Sequence, residues 1–151
     1  MRTDMRRAAI AGVAGTVVMT AFGLWVAPIM GIPRMSPAEM LAGAMGGMRA
    51  MGWIAHFMIG VILAVAYATV APRIPGPPPA RGAMFGIAPF LVAQVVVMPM
   101  MGMPLFSGSV SMAMGSLVGH LIFGGVVGAV YGIPDASVSV RTSTTPSAAA
   151  H

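Results

Sequence analysis

An uncharged, apolar run from Ala8 to Gly31 constrains the fold more than any other feature of this sequence. Its 24 residues are enough for one α-helix to cross the hydrocarbon core of a bilayer, which is roughly 30 Å thick. The chain as a whole is 58% hydrophobic and 7% charged, whereas about a quarter of the residues in soluble domains are charged. The sequence therefore predicts an integral membrane protein.

Prolines and glycines divide the chain into four stretches, each of which is expected to form one membrane-spanning helix. The predicted helices cover residues 8–28, 51–71, 81–101 and 109–131. Pro89 lies inside the third of them and predicts a kink, because proline removes one backbone hydrogen bond. Residues 133–151 are polar and lack periodicity, which predicts a disordered tail after a four-span domain of residues 1–132.

A further short helix is indicated between the first two spans. Ser36-Pro37-Ala38-Glu39 places a serine at the cap, a proline at the first helical position and a glutamate three residues after the cap. Methionines and other small apolar residues then recur at helical spacing. We expect an amphipathic helix that lies on the membrane surface.

Two patterns in the sequence occur twice. H-x3-G-x3-[AG]-x2-Y-[AG] begins at His56 and again 64 residues later at His120, and P-x-M-G-x-P begins at Pro28 and 71 residues later at Pro99. Each copy would hold two spans, so both copies should have the same orientation in the membrane. We therefore expect an all-α four-helix bundle made of two parallel two-helix repeats, over about residues 8–71 and 81–132.

The arginines predict the orientation of the bundle. Six of them precede the first span, connect the second to the third, or follow the fourth: Arg2, Arg6, Arg7, Arg73, Arg81 and Arg141. Arg34 and Arg49 are the two on the opposite side, and short cytoplasmic segments carry the excess of positive charge. Both termini are thus expected in the cytoplasm, and the histidine ends of the second and fourth spans, with His56 and His120, are expected to face the outer side. Because the arginines flank apolar runs and form no single patch, a nucleic-acid partner is not expected.

The paired histidines are the strongest candidates for a functional site. His56 and His120 lie inside predicted spans at matching positions, and an ionisable residue in a span usually faces the interior of the bundle. One interpretation is that both imidazoles bind one haem b, with Gly60 and Gly124, one helical turn further on, leaving room for the ring. The second is that each histidine hydrogen-bonds a neighbouring helix and only stabilises the packing. A proton or solute path is a third.

Copper is the alternative ligand for the same pair. The chain contains 17 methionines, and thioethers together with imidazoles form a ligand set suited to Cu(I). Methionine is also a flexible filler of apolar space, so its abundance alone favours neither interpretation. For the histidine pair, the candidate cofactors are haem b and a soft metal such as copper.

Small residues form a stripe along each of the two repeated helices. The stripes consist of Gly60, Ala64 and Ala68, and of Gly124, Gly128 and Gly132. Such spacing lets helix backbones approach closely in lipid. This favours an alternative function, a structural or accessory subunit that assembles through the stripes without a ligand. Val127, next to Gly128, is expected to face elsewhere.

Enzymatic activity has little support in this sequence. The three acidic residues, Asp4, Glu39 and Asp135, all lie outside the predicted spans, and there is no cysteine. No hydroxyl–histidine–acid set, carboxylate pair or phosphate-binding loop is present. We expect a protein that is not an enzyme.

Four segments resemble a known family. They are G-W-I-A-H-F-M-I-G, R-G-A-M-F-G, V-V-M-P-M-M-G and G-H-L-I-F-G-G-V-V-G-A-V-Y-G, within residues 7–132. They resemble a family of small, uncharacterised bacterial four-helix membrane proteins. The resemblance implies a multi-pass protein of the bacterial cytoplasmic membrane, and it implies no activity or ligand. The expected partners are the lipid bilayer and either further copies of the chain or a larger membrane complex.

Overall fold

A computed structural model of the chain describes residues 3–132 and contains four helices long and apolar enough to cross a membrane. In chain order we label the helices α1, Met5–Ile29; α2, Pro37–Ala44; α3, Arg49–Arg73; α4, Pro78–Met100; and α5, Val110–Tyr131. No strand occurs within residues 3–132, so the predicted all-α bundle is confirmed. The predicted tail, residues 133–151, lies outside the described residues.

The short helix α2 begins as its sequence predicts. The Ser36 hydroxyl accepts a hydrogen bond from the Glu39 amide at 3.3 Å, which satisfies one of the free N–H groups of the first turn. Ala38 and Ala42 are buried against Gly52, near the start of α3. A side chain at position 52 would collide with the Ala38 carbonyl oxygen, so the glycine is what allows α2 to lie this close. Its position on a membrane surface stays a prediction.

A π-helical turn interrupts both α1 and α4. The turns comprise Phe22–Val26 and Ala93–Val97, where the Ala27 amide donates to the Phe22 carbonyl and the Met98 amide to the Ala93 carbonyl, five residues back. Each turn is followed within two residues by a proline of the repeated P-x-M-G-x-P pattern. A proline ring displaces the carbonyl four residues before it, and a wider turn accommodates that displacement.

Pro89, the site of the predicted kink, does not end the helix. It lies inside the regular α-helical segment Pro78–Val92, and the deviation from α geometry begins only at Ala93. Pro89 is buried within the bundle, where neighbouring side chains cover the helix.

Helix α5 is the centre of the bundle. It packs extensively against α4 on one side and against α1 on the other, and α1 packs in turn against α3. The contacts of α3 with α4 and with α5 are few. The four spans therefore follow the order α3–α1–α5–α4, and the bundle is open along the edge between α3 and α4.

Glycines bring the helices of each pair into backbone contact. Along α4 and α5, a Cβ on Gly82 would collide with the Gly124 carbonyl oxygen, and a Cβ on Gly128 with the Pro78 carbonyl oxygen. Between α1 and α3, a Cβ on Gly12 would lie 2.8 Å from the Gly60 carbonyl oxygen. In the first stripe, Gly60 and Ala64 thus pack against α1. In the second, Gly124 and Gly128 pack against α4, whereas Gly132 lies beside Arg7 of α1.

Aromatic rings join the spans at the end where α3 and α5 finish. The rings of Tyr67 and Tyr131 lie 6.0 Å apart, and those of Tyr67 and Phe85 lie 5.5 Å apart, both edge to face. Tyr67 is fully buried and Tyr131 nearly so. This cluster is where α3 and α4 approach one another.

Candidate functional site

His56 lies in the interface between α1 and α3. Its Nε2 atom is 3.0 Å from the Thr20 hydroxyl, which itself donates to the Thr16 carbonyl at 2.7 Å. A hydroxyl has a single proton to donate, so His56 must carry its hydrogen on Nε2 and donate to Thr20. The ring lone pair is then on Nδ1. Only 7% of the residue is exposed.

His120 lies in the interface between α4 and α5. Its Nδ1 atom is 2.8 Å from the Ser116 carbonyl oxygen, one turn earlier in the same helix. A carbonyl can only accept, so His120 carries its hydrogen on Nδ1 and has its lone pair on Nε2. The Phe90 ring of α4 packs edge to face against the imidazole, with centroids 5.9 Å apart.

A buried glutamine extends the polar contacts of His120 towards the loop between α4 and α5. Gln94 is 1% exposed; its amide donates to the Ser116 hydroxyl at 2.9 Å, and its carbonyl oxygen accepts from the Ser107 hydroxyl at 3.0 Å. The Ser116 hydroxyl is in turn 3.5 Å from His120 Nδ1. These four residues form one hydrogen-bonded chain between α4, α5 and their connecting loop.

The loop between α4 and α5, which this series of hydrogen bonds reaches, has an uncommon backbone conformation. Phe106 and Ser107 adopt the left-handed conformation, with φ of 54° and 60°, which costs a non-glycine residue about 1–3 kcal/mol. The hydrogen bond from Ser107 to Gln94 and the packing of Phe106 on Phe90, with ring centroids 6.4 Å apart, hold the loop in place.

Sequence reasoning identified part of this chain. Gln94 is the one amide side chain within the predicted spans, and polar side chains in spans commonly bond between helices, as Gln94 does here. The roles of Ser116 and Ser107 were missed. Ser116 could have been found from its position four residues before His120, where a helical residue faces the same side.

The structure places the four predicted site residues in two separate helix interfaces. His56 and Gly60 face α1, whereas His120 and Gly124 face α4. Both glycines are covered by protein: Thr16 lies over Gly60, and the Gly82 backbone lies over Gly124. The room that these glycines were predicted to leave for a porphyrin is therefore occupied by helices.

Carboxylates do not complement the histidines as metal ligands. Within residues 3–132, no group of three or more His, Asp or Glu side chains could hold a metal ion. Two methionines near the bundle interior fill space above glycines of α5: Met35 packs at Gly115, and Met19 packs at Gly119. Metal binding at the histidine pair stays a prediction.

The chain matches one family model over residues 2–141, described as a family of unknown function (DUF6789). The chain belongs to this family. The match extends over all four spans and agrees with the resemblance noted in residues 7–132. No curated protein and no solved structure matches the chain. As a DUF6789 member with four apolar helices, it is a multi-pass membrane protein, and the description of the family names no activity or ligand.

Proposed function

We propose that this DUF6789 protein is a non-catalytic structural or accessory subunit of the membrane, in which His56 bonds α3 to α1 and His120, bonded within α5, packs against Phe90 of α4. The observation that carries the proposal is that the hydrogen bond of each imidazole closes inside its own pair, His56 to Thr20 and His120 to Ser116. A polar side chain left unpaired within a bilayer is costly. Because each imidazole already has a partner in the protein, no ligand is needed to explain a histidine at these positions.

The mode of assembly differs from the one expected from sequence. Gly60 and Gly124 are already covered by other helices of the same chain. A partner protein could therefore pack against them only if the bundle opened. Contacts with another copy or with a larger complex would instead use lipid-facing side chains, such as Ile62 on α3 and Val92 on α4, which are exposed in the single chain.

The proposal includes an orientation with both termini in the cytoplasm. Arg6, Arg7, Arg73 and Arg81 lie at one end of the bundle, and Arg34 and Arg49 lie at the other. The positive-inside rule for short loops supports this orientation. A bacterial cytoplasmic membrane, suggested by the resemblance, belongs to the same proposal.

A ligand at the histidine pair is a second candidate, favoured by the tautomers. Each imidazole donates its N–H to a protein oxygen, which leaves His56 Nδ1 and His120 Nε2 with lone pairs. Metal-binding histidines are commonly oriented in this way by an outer hydrogen bond. Haem b or copper would be the ligand, and such a ligand would require α1 and α4 to yield the space over Gly60 and Gly124.

An absorption spectrum and a metal analysis of the purified protein test both candidates. For a structural role we expect no haem absorption band and no stoichiometric iron or copper, in the native protein and in the variants His56→Phe, His120→Phe and Thr20→Val alike. One equivalent of haem or copper that either histidine substitution abolishes, and that Thr20→Val retains, would overturn the structural role in favour of the second candidate.

A further inference from the structure

We propose that the segment Leu105–Gly108 is a strap that closes one end of the interface between α4 and α5, and that its opening admits water and small polar solutes to Ser116 and His120. The strap follows the end of α4 and precedes the start of α5. It packs against the π-helical turn Ala93–Val97 of α4 and against α5. It therefore bridges the two helices whose interface contains His120.

The backbone of the strap has a conformation that it would not adopt by itself. Phe106, Ser107 and Gly108 follow one another in the left-handed region, with φ of 54°, 60° and 63°. Residues other than glycine enter this region singly and rarely in runs, because Cβ comes too close to the following carbonyl oxygen. Such a backbone persists only where its surroundings fix it. The contacts that fix the strap therefore decide whether it stays closed.

Two side-chain contacts with α4 fix the strap. The Ser107 hydroxyl donates to the side-chain carbonyl oxygen of Gln94 at 3.0 Å, and the Phe106 ring packs on Phe90 with centroids 6.4 Å apart. Phe106 is still 43% exposed, so burial of this ring stabilises the closed strap only in part. Release of the hydrogen bond to Gln94 would leave the strained backbone with this one partly exposed ring contact.

The first copy of the repeated pattern shows that its sequence does not impose the strained turn. Ser36 corresponds to Ser107, since each lies eight residues after the first proline of P-x-M-G-x-P. Ser36 has an extended backbone, with φ of −127°, and caps α2. The residue five before Pro99 is Gln94, whereas the residue at the same place in the first copy is Gly23, which has no side chain to bond a serine. We attribute the turn at Ser107 to its bond with Gln94.

A polar path lies beneath the strap. The Gln94 amide donates to the Ser116 hydroxyl at 2.9 Å, and His120 Nδ1 donates to the Ser116 carbonyl oxygen at 2.8 Å. When Ser107 withdraws, the Gln94 oxygen loses this donor. A buried acceptor without a partner is costly, and water can replace the hydroxyl. The open strap thus favours entry of water at Gln94, from which Ser116 is one hydrogen bond away.

The rate of thiol labelling at position 116 tests the proposal. The native chain has no cysteine, so Ser116→Cys supplies a single thiol in protein reconstituted in lipid nanodiscs, where both faces of the bilayer contact buffer. A charged methanethiosulfonate, which does not enter lipid, is added, and the mass shift is followed over time. We expect Ser107→Ala to accelerate labelling about fivefold, the size of one net hydrogen bond. Ser111→Ala, which removes an exposed hydroxyl from the first turn of α5, is the matched control and should leave the rate unchanged.

Ser107→Gly separates the strain from the hydrogen bond. It lacks the hydroxyl as Ser107→Ala does, but glycine adopts a positive φ without the steric cost that alanine retains. We therefore expect Ser107→Gly to be labelled more slowly than Ser107→Ala, although glycine is the more flexible residue. Three results would overturn the proposal: an unchanged rate in Ser107→Ala, equal acceleration by Ser111→Ala, or labelling of Ser107→Gly at least as fast as that of Ser107→Ala.

Discussion

At the scale of single residues, the two histidines show how one repeated pattern comes to have two different environments. His56 donates to a hydroxyl on another helix, whereas His120 donates to a carbonyl of its own helix. The difference has a source in the sequence. Pro28 and Pro99 begin the two copies of the P-x-M-G-x-P pattern. Thr20 lies eight residues before the first, and the corresponding residue before the second is Leu91, whose side chain has no hydrogen-bond acceptor. His120 therefore turns to Ser116 for its partner.

The bond between His56 and Thr20 makes a measurable contribution to folding. In a double-mutant cycle of Thr20→Val and His56→Leu we expect a coupling of about 0.6–1.7 kcal/mol, the range from the average to the largest values found for hydrogen bonds between spans. Unfolding of the variants in bilayer-like micelles measures it. Thr69→Val, whose hydroxyl bonds to its own helix at Ala66, is the control and should show no coupling to His56→Leu. Coupling near zero in the first cycle would remove the basis for the structural role.

At the scale of helices, α5 carries most of the packing because two of its faces are used. Gly124 and Gly128 contact α4, while Phe123 and Val127 contact α1 at Gly15. Val127 does face away from the glycine stripe, as expected, but it faces another helix and is completely buried. It is therefore unsuitable as a tolerant neighbour of Gly128.

Ala129 supplies the control that Val127 cannot. Gly128→Leu would force a side chain into the Pro78 carbonyl and separate α4 from α5, and we expect it to lower the free energy of unfolding by at least about 2 kcal/mol, since overpacking a core typically costs 1–3 kcal/mol. Ala129 is exposed, so Ala129→Leu should leave the stability within about 0.5 kcal/mol of the native value. Thermal unfolding in detergent compares the two variants. Similar stability in both would mean that α4 and α5 do not meet at Gly128.

At the scale of the whole molecule, the four spans pack in the order α3–α1–α5–α4, and the two outer spans approach each other only near one end of the bundle. α3 and α4 meet at Tyr67 and Phe85 and make few other contacts, whereas α1 and α5 pack extensively. Two parallel repeats related by a regular twofold axis would make those two interfaces equivalent. The repeat in the sequence and the unequal packing are thus both features of this chain, and the parallel repeat stays a prediction.

Cysteine labelling tests the orientation of the bundle. A cysteine at Ala80, which is exposed in the first turn of α4, should react only from the cytoplasmic side, because the arginines lie at that end. A cysteine at Leu105, which is 58% exposed in the loop between α4 and α5, should react only from outside. Leu105 is preferable to Ser107, whose hydroxyl bonds to Gln94. Labelling of Ala80 from outside would reverse the orientation and relocate the histidines to the cytoplasmic half.

The amino-acid sequence by itself determined the four spans, the capped helix at Ser36 and the use of small residues at helix contacts, because hydropathy, capping and spacing act over a few helical turns. Only the tertiary structure decided that Gly60 faces α1 and Gly124 faces α4, and with that choice it separated the two histidines into different interfaces. Every stripe of small residues offers the same close approach, and which partner it meets depends on the combined packing of all spans. Local spacing does not contain that information.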